Sequence, residues 1–128
     1  MTHNPFSHID LRVPSYDLAL PFYERLLPAL GFTRTFHSER WRVFAAEGDL
    51  PSAAYFAITE DATFRPNQNL VGFWGADQET VDAIARLVAE AGGVIVDGPR
   101  LMPISPDYYA VYFQDPVGNA YEMVHRTR

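Results

Sequence analysis

One order of predicted elements occurs twice in this sequence, and that repeat limits the fold more than any other feature. A shift of 62 residues lays Phe22 on Ile84 within matching helical patterns, and a shift of 66 lays Phe56 on Glu122 within matching strand patterns. Internal repeats are sought first because missing one assigns the wrong fold. The repeat predicts an α+β chain of two βαβββ modules, the first over about residues 5–60 and the second over about residues 68–126.

The first module opens on a strand pattern over residues 6–13. Apolar Ile9, Leu11 and Val13 alternate there with polar His8, Asp10 and Arg12. A period of two predicts a strand with one apolar and one polar face. A helix follows, capped by Ser15 or Asp17 and ended by Gly31, with Pro21 in or near its first turn. The helix has a repeating apolar pattern, and three strand-like runs come after it: Leu18, Phe22, Leu26 and Leu30, then residues 33–36, 41–46 and 53–59.

The second module repeats this order after a polar connector. Residues 70–75 are typical of a strand, Asp77 caps a helix, and Gly92 ends it. The apolar positions of that helix are Val81, Ile84, Ala85, Val88 and Ala91. A short strand is predicted at residues 94–96, followed by a loop over residues 98–106 that contains three prolines. We expect this loop to lie over the mouth of a cavity as a lid.

A hairpin closes the chain. Two strand patterns flank the segment Asp115-Pro116-Val117-Gly118-Asn119, in which proline presets φ and glycine or asparagine can adopt left-handed turn geometry. The return strand carries Glu122 among apolar neighbours. A carboxylate on a buried strand face must be paired, protonated or bound to a metal, so Glu122 is expected to have a partner.

Composition excludes several classes of function. The 128 residues are 48% hydrophobic, enough for the core of one domain, and no apolar run approaches the length of a membrane span. Without cysteine there is no disulfide, thiol nucleophile or thiolate metal site. A net charge of -6 without a basic cluster argues against nucleic acid as a partner. No signal-peptide pattern is visible at the start, so we expect a cytoplasmic protein.

Three segments carry a resemblance to a known family. SHIDLRV, FYERLLPALGF and YFQDPVGNAYEMV, in that order and spacing, resemble the vicinal oxygen chelate superfamily, which includes glyoxalases, bleomycin resistance proteins, fosfomycin resistance proteins and extradiol dioxygenases. The resemblance covers essentially the whole chain. It implies a single glyoxalase-like domain over residues 1–128, with curved mixed sheets around a cavity and helices outside.

The resemblance also implies four cavity positions for a divalent metal, which fall on His8, Phe56, Leu70 and Glu122. Only His8 and Glu122 can ligate. An imidazole and a carboxylate suit Zn, Ni, Mn or Fe, and carboxylate with water also suits Mg. Catalytic sites usually hold three protein ligands plus water. Asp10 or, after a one-residue register slip, Asn69 is a candidate third ligand, although a salt bridge with Arg12 or with an arginine elsewhere is favoured for Asp10.

A metal-free interpretation of His8 and Glu122 stays open beside this one. An imidazole and a carboxylate in hydrogen-bond contact form an ion pair that can act as general acid and base, or can orient a ligand. His37 and His125 fall at predicted strand ends, where surface or rim positions are expected. His3 falls in the N-terminal tail.

The remaining cavity lining follows from strand parity. If Glu122 faces inward, then parity predicts an aromatic lining that suits a small, flat or apolar molecule. Arg12 is the expected anion anchor, since guanidinium grips carboxylate or phosphonate groups. The predicted companions of Glu122 are Arg12, Phe56, Gly72, Trp74, Tyr108, Tyr112, Ala120 and Val124.

Two functions remain in view. The first is a metal-dependent lyase, isomerase or transferase of the glyoxalase kind, in which Glu122 is a metal ligand or catalytic proton carrier. The second is a bleomycin-resistance-like protein that binds a small molecule without chemistry, and the acidic composition then favours a cationic ligand. The resemblance also implies a homodimer, in which His8 of one subunit would face Glu122 of the other.

Overall fold

The computed structural model describes residues 5–48 and 53–127. These residues form two compact units that divide between Arg65 and Pro66. Each unit contains one helix and one four-stranded mixed sheet. The predicted α+β fold with two βαβββ modules is therefore confirmed. His3 lies outside the described residues. Neither described helix combines the length and the hydrophobicity that a membrane span requires.

The first unit orders its strands β1-β4-β3-β2, with β1 parallel to β4 and the other pairs antiparallel. Strand β2 is an edge strand whose four residues are all exposed. The elements are β1 (His8–Val13), α1 (Tyr16–Ala29), β2 (Arg34–His37), β3 (Arg42–Ala45) and β4 (Tyr55–Glu60).

Helix α1 begins and ends as predicted, but its buried side differs from the prediction. The Ser15 hydroxyl accepts from the Leu18 amide, and Gly31 takes φ +108° at the C-terminal end. Leu18 itself is 63% exposed. Because α1 starts at Tyr16, Pro21 lies in the second turn rather than the first. The buried stripe consists of Ala19, Phe22, Tyr23, Leu26 and Leu27.

The second unit has the same topology, β5-β8-β7-β6, with β5 parallel to β8. Its helix packs on β6, β7 and β8 and buries Val81, Ile84, Ala85 and Val88, as predicted. Asp77 caps this helix by accepting from the Thr80 amide. The elements are β5 (Leu70–Trp74), α2 (Gln78–Glu90), β6 (Val94–Leu101), β7 (Tyr109–Gln114) and β8 (Ala120–His125).

Strand β6 is longer than predicted. It runs through Pro99 to Leu101, so the predicted loop begins only at Met102. The ladder between β6 and β7 shifts register on both sides of Asp97. Proline is tolerated at edge strands and bulges because it cannot donate to a ladder, and β6 is an edge strand.

Strand register corrects the alignment of the two units by one residue. In the first unit Asp10 lies opposite Ala57, and in the second Gly72 lies opposite Glu122. The shift of 62 therefore holds for β1 and β5, whereas β4 matches β8 with Ala57, not Phe56, at the position of Glu122. The pairing of Phe56 with Glu122 was wrong because a one-residue change of register moves a side chain to the other face of its sheet.

Candidate functional site

The second unit has an open face, which we define as the side of its sheet opposite α2. The Tyr109 hydroxyl donates to Asp82 of α2, which places Tyr109 and the alternate residues of β7 on the helix side. Tyr121 of β8 is buried there between Phe73 and Phe113. Because successive side chains of a strand point to opposite faces, the next residue, Glu122, points to the open face.

The side chain of Glu122 is nearly buried on this open face. The residue is only 7% exposed, and the Tyr108 hydroxyl donates to Glu122 Oε2 at 2.6 Å. Tyr112 is the direct cross-strand neighbour of Glu122 in the β7–β8 ladder. Glu122 thus has the partner that its apolar surroundings require, and that partner is a phenol.

The two phenols remain protonated in this environment. Burial, the hydrogen bond to Glu122 and the charge of Glu122 raise the pKa of Tyr108 well above its ordinary value. Burial and then the charge of Glu122 raise the pKa of Tyr112. Both hydroxyls therefore keep their protons, and Tyr108 donates its proton to the carboxylate.

A pocket of about 230 Å³ opens above Glu122. Gly72 lines it beside Glu122, since a Cβ at that position would be in van der Waals contact with Glu122 Oε1 at 3.9 Å. Trp74 forms one wall and is 66% exposed. The guanidinium of Arg126 lies over the Trp74 ring, 4.5 Å from its centroid. The pocket lining therefore combines a carboxylate, aromatic rings and one arginine at the mouth, with Tyr108 completing it.

One residue of the loop predicted as a lid, Met102, packs against residues of this site. Met102 is buried with Ala110 and Val124, and Tyr108 and Tyr112 pack against that cluster. The Met102 amide also donates to the Tyr108 carbonyl at 2.8 Å. Met102 is therefore a packing residue beneath the phenols. The sequence prediction missed Met102 and Arg126, although parity along β8 places residue 126 on the same side as Glu122 and Val124.

The first unit carries a different set of groups on the face that contains His8. The His8 ring stacks on Tyr55 with centroids 4.5 Å apart, and Ser7 Oγ lies 2.9 Å from His8 Nδ1. His8 Nε2 is 3.8 Å from Asp10 Oδ2. A pocket of about 470 Å³ is lined by His8, Asp10 and Tyr55 together with Phe36 and Trp41.

A salt bridge of Asp10 with Arg12 or with another arginine was favoured, whereas the structure places the Asp10 carboxylate beside His8. His8 Nε2 lies 3.8 Å from Asp10 Oδ2, and Arg12 pairs with Asp61 at 3.9 Å. His8, Asp10 and Arg12 lie along one face of β1, so Asp10 has His8 on one side and Arg12 on the other, and Arg12 also reaches Asp61 just beyond β4. Arg12 is about half exposed and stays a predicted anion anchor.

Phe56 does not belong to the polar face of the first unit. It is 1% exposed and packs edge-on against Phe32 with ring centroids 5.8 Å apart. Its neighbours Tyr55 and Ala57 line the pocket instead. The predicted role of Phe56 in ligand binding is corrected to a core role. Trp74, Tyr108 and Tyr112 share one face with Glu122, as strand parity predicted.

Neither unit supplies a complete metal site from its own described residues. Within each of them, no group of three or more histidine and acidic side chains is arranged to hold an ion. The first unit offers His8 and Asp10, whereas Ala57 cannot ligate. The second offers Glu122, whereas Leu70 is the strand residue opposite Ala120 and Asn69 precedes the strand. The donor set of a single unit does not fit a catalytic site with three protein ligands.

The predicted pairing of His8 with Glu122 therefore stays a prediction, since the two residues belong to different units. The other histidines have local roles. The His125 ring lies 3.1 Å from the Gly75 carbonyl, and His37 packs edge-on against Phe44.

Comparison with solved structures supports the fold across nearly the whole chain. A glyoxalase/bleomycin resistance protein from Albidiferax ferrireducens T118 matches with a TM-score of 0.78 at 24% identity, covering 96% of this chain and 99% of that chain. A glyoxalase-related enzyme from Fulvimarina pelagi matches with a TM-score of 0.72 at 15% identity, covering 94% and 86%. The fosfomycin resistance protein FosX from Listeria monocytogenes matches with a TM-score of 0.72 at 18% identity, covering 98% and 96%.

The sequence itself matches one family model. No curated protein matches the chain. The model of the Glyoxalase/Bleomycin resistance protein/Dioxygenase superfamily matches residues 6–123, which include every strand of both units apart from the last two residues of β8. This protein belongs to the Glyoxalase/Bleomycin resistance protein/Dioxygenase superfamily.

Proposed function

We propose that this protein binds a small organic molecule in the pocket above Glu122. The carboxylate is the polar anchor, Trp74 and Tyr108 supply aromatic walls, and Tyr112 lies beside Glu122 on the neighbouring strand. One observation carries the proposal: a nearly buried carboxylate, held by a phenol, lies at the base of a pocket that opens to solvent. Ligand sites typically combine apolar walls with a few placed polar groups.

The hydrogen bonding of Glu122 leaves room for a ligand. Tyr108 donates to Oε2, while Oε1 faces the space above Gly72. A carboxylate offers about four acceptor positions, so a ligand donor can be added without displacing Tyr108. No arginine in the described part of the second unit forms a salt bridge with Glu122. A ligand with a hydrogen-bond donor would therefore stabilise a charge that the protein only partly compensates.

Fragment binding tests this proposal. A set of small aromatic molecules with and without donor groups is screened by ligand-observed NMR against the wild-type protein and Gly72→Leu. The leucine side chain should fill the space above Oε1 and remove binding, while Glu122→Gln should weaken it for donor-bearing fragments. Glu79→Gln, in the first turn of α2, is the matched control for lost charge. Fragments that bind equally well to wild type and Gly72→Leu would refute the pocket as the site.

A metal-dependent lyase, isomerase or transferase is the second candidate. Members of the superfamily commonly use divalent metals. The exposed imidazole of His8, with the Asp10 carboxylate 3.8 Å away, favours it. His8 and Glu122 are the residues that we expect to hold an ion, and Glu122 would then be the catalytic residue.

Elemental analysis of untagged protein decides between the candidates. The metal hypothesis predicts a stoichiometric divalent ion in the wild type, lost in both His8→Ala and Glu122→Ala. Glu79→Ala serves as the control and should keep the ion. A wild type that takes up no Zn, Ni, Mn, Fe or Mg on dialysis would remove this candidate and leave the binding function in place.

A further inference from the structure

We infer that the ligand of the Glu122 pocket is an organic cation, and that the guanidinium of Arg126 takes the cation's place on Trp74 while the pocket is free. This inference deepens the proposed function and rests on it.

The interior of the pocket presents acceptors rather than donors. Tyr108 directs its proton to Glu122, so the phenol oxygen turns only lone pairs toward a ligand. The Trp74 ring adds the negative face of an aromatic system. An anionic group placed beside Glu122 would be repelled, because partial burial weakens the screening between like charges. These features together favour an ammonium, amidinium or guanidinium group.

Arg126 demonstrates that a cation fits on the aromatic wall. Its guanidinium lies 4.5 Å from the Trp74 centroid, within the range of a cation–π contact. Arg126 is four residues beyond Glu122, which corresponds to about 13 Å along an extended strand. The side chain therefore covers the mouth of the pocket and leaves Glu122 itself to the ligand.

The backbone around Arg126 is fixed while its side chain can be displaced. Strand β8 ends at His125. The next residue but one, Thr127, donates to Asp107 through both its amide and its hydroxyl. Arg126 is thus held between two anchored residues, and its side chain is a tethered cation that an incoming cation can replace by moving it off the ring.

Three probes of nearly the same shape test the inference: benzamidinium, benzamide and benzoate. We expect benzamidinium to bind about tenfold or more tightly than benzamide, because a hydrogen bond between charged groups is roughly twice as strong as a neutral one and Glu122 adds charge attraction. Benzoate should not bind. Glu122→Gln should abolish the preference for the cation, and melting curves confirm that this variant folds.

The role of Arg126 is tested separately with Arg126→Ala. Removing the competing cation should tighten benzamidinium binding about two- to fivefold, the change that corresponds to one exposed cation–π contact of about 0.5–1 kcal/mol. Arg86→Ala, an exposed position on α2, is the control for the change in net charge. In a Trp41→Phe background Trp74 is the remaining tryptophan, so its fluorescence should change when benzamidinium displaces Arg126.

The outcomes separate this inference from the proposed function. If benzoate bound and its binding depended on Arg126, the inference of a cationic ligand would be wrong, while the proposed small-molecule site would stand. Preference for benzamidinium with unchanged affinity in Arg126→Ala would overturn the role of Arg126 alone. If none of the three probes and no fragment of the screen binds, both the inference and the proposed function fail.

Discussion

The Glu122 carboxylate is stabilised by a phenol rather than by a cation, so its environment depends on the protonation of tyrosine. Tyr108 donates directly, and the pKa values of Tyr108 and Tyr112 are both raised. A raised pKa in the folded state means that folding stabilises the protonated phenol. The resulting stability is fully present below the unfolded value of about 10 and is lost as the pH rises through the folded value.

We therefore predict a loss of stability at alkaline pH that depends on Tyr108. The free energy of unfolding, measured in urea, should fall between about pH 10 and 12. In Tyr108→Phe it should fall less steeply, because this variant lacks one phenol whose pKa is raised in the folded state. In an alkaline titration followed by tyrosinate absorbance, this folded variant should show one fewer tyrosine with a raised pKa than the wild type. Tyr55→Phe, on the first unit, is the control. Identical slopes for wild type and Tyr108→Phe would contradict the prediction.

Phe56 and Trp74 should behave in opposite ways on substitution. Phe56→Ala should lower the free energy of unfolding by about 3–5 kcal/mol, because it leaves a cavity in a buried aromatic contact. Trp74→Ala should change stability little, since the ring is exposed, but should weaken fragment binding. Urea denaturation and NMR titration measure the two effects. A Phe56→Ala protein that is as stable as the wild type but binds no fragment would show that Phe56 belongs to the binding site and not to the core.

The misplacement of Phe56 has a physical origin. Aromatic residues occur at positions 55 and 56 and again at 121, so the pattern alone fits two alignments that differ by one residue. Hydrogen-bonded register, which distinguishes them, depends on pairing with β1 and β5. Sequence parity was sufficient for Glu122, Trp74 and Tyr112, because their strands of five or six residues alternate without interruption.

At the scale of elements, the turn between β7 and β8 is organised by Asp115. Asp115 Oδ1 accepts from the amides of Val117 and Asn119, and Oδ2 accepts from Asn119 Nδ2. Gly118 takes φ +98°, so only the glycine of this turn adopts the left-handed region. The predicted turn is confirmed, whereas Asn119 contributes through its amide and its side chain and does not adopt a left-handed backbone.

Substituting Asp115 should loosen this turn by a predictable amount. Asp115→Ala leaves buried amides without their acceptor and should cost about 2–4 kcal/mol of unfolding free energy. Asp115→Asn keeps a carbonyl oxygen in place and should cost clearly less. Urea denaturation of the two variants measures the difference. Equal losses would mean that the charge of Asp115, rather than its acceptor geometry, stabilises the turn.

Helix boundaries were predictable from the sequence, but the end of strand β6 was not. Caps at Ser15 and Asp77 and positive φ at Gly31 and Gly92 follow from local chemistry that the sequence displays. Strand β6 continues through Pro99 by two changes of register, which no periodic pattern encodes.

At the scale of the whole molecule, the association of chains stays a prediction. Strand patterns define the faces of each unit, but association depends on surface complementarity that periodicity does not encode. We expect a homodimer with twice the 14.5 kDa chain mass. Sedimentation equilibrium over a range of protein concentrations measures it. A single species at the chain mass throughout that range would contradict the prediction.

At one matched position the ladders of the two units hold an acid each, on opposite strands. Asp10 faces Ala57 in the first unit, whereas Glu122 faces Gly72 in the second. In each unit, two neighbouring positions on paired strands hold one acidic and one small residue. The acidic residue lies on the first strand of the first unit but on the last strand of the second unit. Exchanging the acidic and the small residue within one unit would move the negative charge to the neighbouring strand, about 4.8 Å away, while the net charge and the strand order stay the same. The location of the acidic group in each unit is therefore set by which of the two paired strands carries it.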